Sequence, residues 1–133
     1  HGDIRSAAVT ALKTYTLNNN ALPFLHALLT SVNWLIRREG VLLASRIGTS
    51  EAVAAILPLV GDNSYEVRDA LSSVMSLYRL SNNQIPLLKI GLASVQWTSR
   101  KQAVQFLATI GTIEAADAII LALGDNNFDV RML

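Results

Sequence analysis

The 133-residue chain has no cysteine. That excludes disulfides, thiolate zinc centres and thiol nucleophiles, while leaving the compartment open. Charge is scarce too. Only 16% of the residues are charged, and 11 Lys and Arg against 10 Asp and Glu leave a formal +1. So small a balance gives no global field to hold a polyanion or an anionic membrane. Glycine and proline are few, at seven and three. No apolar run approaches the roughly 18 residues that span a bilayer. The opening HGDIRS lacks the basic-then-apolar order of a secretory leader, so the expected compartment is the cytoplasm. What the chain does contain is apolar side chains, 51% of the total. Its length suffices for one domain with a sizeable core.

The apolar residues are organised by a repeat. Arg5, Arg37, Arg68, Arg100 and Arg131 follow one another at 32, 31, 32 and 31 residues. Ile4, Ile36, Val67 and Val130 precede four of them, and Ser99 breaks the rule once. A polar, turn-prone stretch (SVN, GDNS, SVQ or GDNN) precedes each later unit. Ile4, Ala7, Ala8, Ala11, Leu12 and Tyr15 fall on one face at helical spacing. After TLNNN a second apolar segment runs from Ala21 to Val32, with Pro23 suited to its first turn. The same plan predicts first helices at about 34–47, 65–79 and 97–110. It predicts second helices at about 51–60, 84–94 and 114–123. A shift of 63 residues sharpens the match: YTLNNNALPFL becomes YRLSNNQIPLL, and VGDNSYEVR becomes LGDNNFDVR. Units one and three are therefore one subtype, units two and four another, as duplication of a two-unit block would leave them.

GDNSYEVRDAL and GDNNFDVRML, each with an IGTSEAVAAILPLV-like or IGTIEAADAIILAL-like segment nearby, resemble HEAT-like repeats of the short type found in phycobilisome lyases. The resemblance implies an all-α, right-handed α-solenoid of about four helix pairs plus the start of a fifth. One domain over 1–133 is expected, with units at about 1–32, 33–63, 64–95 and 96–126 and a partial one at 127–133. Neither end reads as a polar capping unit, so a segment of a longer protein is expected. The chain departs from the family pattern where proline usually opens the first helix. Trp34, Tyr65, Trp97 and Phe128 stand there, with Gly2 in the first unit.

Three surfaces are candidates. In the resemblance, the repeated arginines form a ladder with acids and carbonyls of the neighbouring unit, and Asp62 and Asp125 sit at turns where that is possible. The pairs Arg37-Arg38 and Arg100-Lys101 are possible basic contacts, since acids are absent from Ile4 to Arg38 and from Ala70 to Ile113. A duplex-binding surface would carry more than 11 Lys and Arg. The aromatic row Trp34, Tyr65, Trp97 and Phe128 reads as a set of staples over the preceding turns. The sharper alternative is an edge that contacts a partner. The second helices are apolar almost all round. The resemblance places them on a concave side, with Phe24, Ala27, Ala55, Pro58, Leu87, Ile90, Ala118 and Leu121 facing outward as a partner-binding groove.

Catalysis has no visible machinery. The two histidines, His1 and His26, have no triad or carboxylate pattern around them, and neither forms the His-Glu pair of iron-dependent HEAT-like hydroxylases. No metal site and no cofactor are expected. The expected function is a non-catalytic interaction scaffold. Its partner would be a protein, another domain of the same chain, or a second copy meeting groove to groove. A bilin-lyase-like or chromophore-handling subunit and a nucleic-acid-binding solenoid are the alternatives.

Overall fold

A computed structural model describes residues 18–132 together with Ile4, Ser6, Ala7, Thr10 and Ala11. Those five N-terminal residues are helical. Ala8, Leu12 and Tyr15, the rest of the expected first helix face, lie outside the described residues, as do Arg5 and Gly2. The described residues hold helices and no strand. They form α1 (Leu22–Leu29), α2 (Trp34–Ile47), α3 (Ser50–Ile56), α4 (Tyr65–Met75), α5 (Ile85–Leu92), α6 (Trp97–Ile110), α7 (Ile113–Ile120) and α8 (Phe128–Arg131).

The helix starts are written in the chain. Trp34, Tyr65, Trp97 and Phe128 each open a helix, as the repeat predicts. Asn33, Ser64 and Asn127 stand just before three of them, and their side chains accept bonds from backbone N–H groups of the first turn. α2 and α6 both end on glycine, Gly48 and Gly111. Each has φ 72°, the left-handed conformation that stops a helix without a Cβ clash. α3 and α7 follow directly from Thr49 and Thr112, whose hydroxyls accept from Ala52 and Ala115 N–H.

The second helices are shorter than their apolar stretches. α3 gives way to a 3-10 turn at Leu57–Gly61, and α7 to one at Leu121–Gly124. Pro58 lacks the N–H that a continuing α-helix would bond, but position 121 is leucine, so proline is not the shared cause. Gly61 and Gly124 close both turns. α4 likewise ends at Met75, four residues before its expected end at 79.

The core lies between the two helix layers. Leu25, Val41, Ile56, Leu57, Val60, Val67, Leu71, Leu88 and Leu107 are fully buried. First helices pack on first helices, α2 on α4 and α6 on α8; α2 and α6 also pack on their own second helices, α3 and α7, while α1 and α5 pack on the first helix of the unit that follows, α2 and α6. α5 also packs on the turn 57–61 of the preceding pair. Each pair therefore completes the core of its neighbour, as repeat architectures require.

Candidate functional site

The repeated arginines are held inside the array. Arg37 Nε donates to Asp62 Oδ2 at 2.8 Å and Arg37 Nη2 to Asp62 Oδ1 at 3.1 Å, a bidentate pair. Arg37 Nη1 donates to the Ser31 carbonyl at 2.8 Å. Arg100 repeats this geometry on Asp125, at 2.6 and 3.1 Å, and on the Ser94 carbonyl at 2.9 Å. Bidentate, charge-assisted bonds of this kind fix geometry as well as adding energy. The Arg100 guanidinium holds the Asp125 carboxyl below the usual carboxylate range. Arg68 is buried and solves the same problem without an acid. Its Nη1 donates to the Asp62 carbonyl at 2.6 Å and to Gln96 Oε1 at 2.8 Å. Arg131 makes the matching bond to the Asp125 carbonyl at 2.6 Å.

Arg37 and Arg100, read as possible basic contacts, are thus each paired with a turn-borne aspartate. Arg38 and Lys101 remain half-buried. Arg38 lines a shallow groove of about 350 Å³ with Leu42, Tyr65, Glu66 and Asp69, where two acids face one cation. The Glu66 carboxyl lies below its usual range, chiefly through its own backbone N–H, then the Ser64 hydroxyl, with Arg38 and Arg68 adding less.

A second ladder, on the opposite side of each pair, was not anticipated. Thr49 Oγ1 donates to Asn19 Oδ1 at 2.6 Å, and Thr112 Oγ1 to Asn82 Oδ1 at 2.5 Å. Asn19 and Asn82 in turn donate to Glu51 and Glu114 at 3.3 and 3.2 Å. The signal was available: all three residue types recur at the 63-residue shift. Tyr78 adds a further tie, its hydroxyl donating to the Ser45 carbonyl at 3.2 Å.

The aromatic row is unevenly covered. Trp34 and Trp97 are about two-fifths exposed, Tyr65 and Phe128 about two-thirds. Of the groove residues, Phe24, Ala27, Pro58, Ile90 and Leu121 are exposed. Ala55 and Leu87 are not outward. Both are half-buried and pack on the core. Ala118 is buried outright, which corrects its placement on an outward face.

Among the described residues, no group of three or more His, Asp and Glu could hold a metal ion. Among them also, no helix is long and apolar enough to cross a membrane. The sequence matches the family model for HEAT repeats over residues 1–76. The chain belongs to the HEAT-repeat family. HEAT repeats generally mediate protein–protein interaction and are typically non-enzymatic scaffolds. No curated protein matches the chain.

Proposed function

We propose that this HEAT-repeat chain is a non-catalytic scaffold that takes a protein partner along its second helices. One observation carries the reading. Phe24, Ile90 and Leu121 stay 43%, 50% and 67% exposed on the second segments of units one, three and four, with Ala27 exposed one turn from Phe24 and Pro58 exposed in unit two. His26 and Lys89 are the only titratable side chains on α1 and α5. Apolar surface that recurs in register marks an interaction face more often than scattered single residues do.

The test is selection of binders from a displayed library of amphipathic helical peptides. Binders are expected to lose affinity for Phe24→Asp and Ile90→Asp chains and to keep it for Trp97→Ala. Binders that ignore both aspartates, or an empty selection, reject the reading. The same purified chain discriminates the alternatives. A bound bilin gives a visible absorption band, and nucleic-acid binding falls steeply with added salt.

A further inference from the structure

Two side chains on the turn edge serve no purpose in the fold. Val32 and Val95 stand in the turns before α2 and α6, and they are 100% and 96% exposed. Turn positions of this kind favour small polar residues. The other subtype carries one: Asn63 and Asn126 are the equivalents, and their side chains accept from Arg37 Nη2 and Arg100 Nη2 at 3.2 and 3.1 Å. Valine forgoes that bond at both of its places. Trp34 and Trp97, the chain's two tryptophans, follow two residues later, each about two-fifths exposed. Val95 lies between the turns at 62–64 and 125–127, so its exposure is not that of an array end.

Two observations select what such an edge would meet. The valines project from turns instead of lining a cleft, and neither 31–35 nor 94–98 holds a charged residue. A deformable apolar medium accepts projecting tips of this kind, and tryptophan settles where hydrocarbon meets water. The second observation is the groove of about 350 Å³ in the unit between these turns. Arg38 lies one turn beyond Trp34 on α2, and Asp69 one turn beyond Tyr65 on α4, so the groove runs inward from the aromatic edge. Among the described residues, the side chains of Arg38 and Asp69 have no hydrogen-bond or ion-pair partner. A guanidinium suits a phosphate. A carboxylate beside an exposed tyrosine ring suits a quaternary ammonium. A phosphocholine headgroup brings both charges. Glu66 makes the groove acidic on balance, which disfavours an anionic lipid.

We propose that the turn edge docks on a phosphatidylcholine bilayer: Val32 and Val95 enter it, Trp34 and Trp97 lie at its interface, and the groove at Arg38, Tyr65 and Asp69 takes a headgroup. None of these residues lies on a second helix, so the edge is distinct from the face at Phe24 and Ile90. The small net charge is no obstacle, because the driving force is burial of the apolar tips rather than attraction to anionic lipid.

Both tryptophans sit on this edge, so titration of the intact chain with lipid vesicles needs no label. Phosphatidylcholine vesicles should shift the emission to the blue, and brominated acyl chains should quench it. Added salt should leave the shift in place, because exposed charges do not drive it. Val32→Asp with Val95→Asp, at positions the fold does not use, should weaken binding at least about tenfold with helix content unchanged. Tyr65→Ala with Asp69→Asn should weaken it roughly threefold or more. Ile90→Asp should bind as the unaltered chain does. The absence of a shift with phosphatidylcholine vesicles overturns the proposal. So does equal or tighter binding to phosphatidylglycerol vesicles, or binding that survives either pair of edge substitutions. Loss of binding in Ile90→Asp also overturns it, because the lipid contact is then the second-helix face.

Discussion

Arg37 and Arg100 grip Asp62 and Asp125 through the same bonds, yet the helices beside them pack by opposite means. In the first half, the bulky residue is Leu28 on α1, and Gly40 on α2 yields space. In the second half, the helix pair is α5 and α6, and the glycine has moved to the other partner: Gly91 faces Ala103. Positions 28 and 91 are equivalent by the 63-residue shift, as are 40 and 103. The polar ladder keeps residue identity, whereas the apolar junction keeps only a fit of volumes. Hydrogen-bond geometry tolerates few substitutes, but a close-packed contact accepts any pair whose sizes add up.

The largest effect that would break the comparison lies in the core. Leu25→Ala and Leu88→Ala remove equivalent, fully buried side chains and should each cost about 2–5 kcal/mol by denaturant unfolding. If one costs a small fraction of the other, the halves are not energetic copies. Next come the arginines. Arg37→Ala and Arg100→Ala strand a mostly buried aspartate and should each cost roughly 3 kcal/mol. Arg68→Ala, whose acceptors are neutral, should cost about 1–2 kcal/mol.

The glycine swap is sharper and somewhat smaller. Gly91→Leu should destabilise by about 1–3 kcal/mol. Adding Ala103→Gly rebuilds the Leu28–Gly40 arrangement and should restore part of the loss, not all, since Val60 still stands 2.7 Å from the new Cβ. Full rescue would mean that Val60 is not the limiting contact. Acid should expose Asp125. Its native value is depressed, so its contribution is complete above the ordinary 3.8 and disappears as pH falls below that through the lower native value. Asp125→Asn should flatten that part of the melting-temperature curve. Ile90→Ser, at an exposed site, should shift stability by no more than about 0.5 kcal/mol.

The array was legible because the period is carried by residues with one job each. Arginine at a fixed spacing, an aromatic at the helix start and glycine at Gly48 and Gly111 announce the helix pairs without reference to tertiary contacts. Burial along the second helices was less legible. Ala118 and Leu87 look outward on a single helix but are buried and half-buried in the array, and burial set by tertiary packing is absent from local periodicity. The partners of the arginines were half legible. Asp62 and Asp125 stand in recognisable turns, but Gln96 gave no signal, because a carboxamide at a helix start reads as an ordinary polar residue. The 3-10 turns at Leu57 and Leu121 were missed because their apolar pattern continues unbroken from the α-helix before them.

The two ladders give the array unequal edges. One edge is riveted by bidentate arginine–aspartate bonds between a helix and the next turn. The other is stitched by Thr–Asn–Glu bonds with one ionic member. Charge-assisted bonds are about twice as strong as neutral ones, so a bending load opens the threonine edge first. Flexure is therefore expected to be easier in the direction that opens the threonine edge, with Arg37 and Arg100 holding the other edge closed.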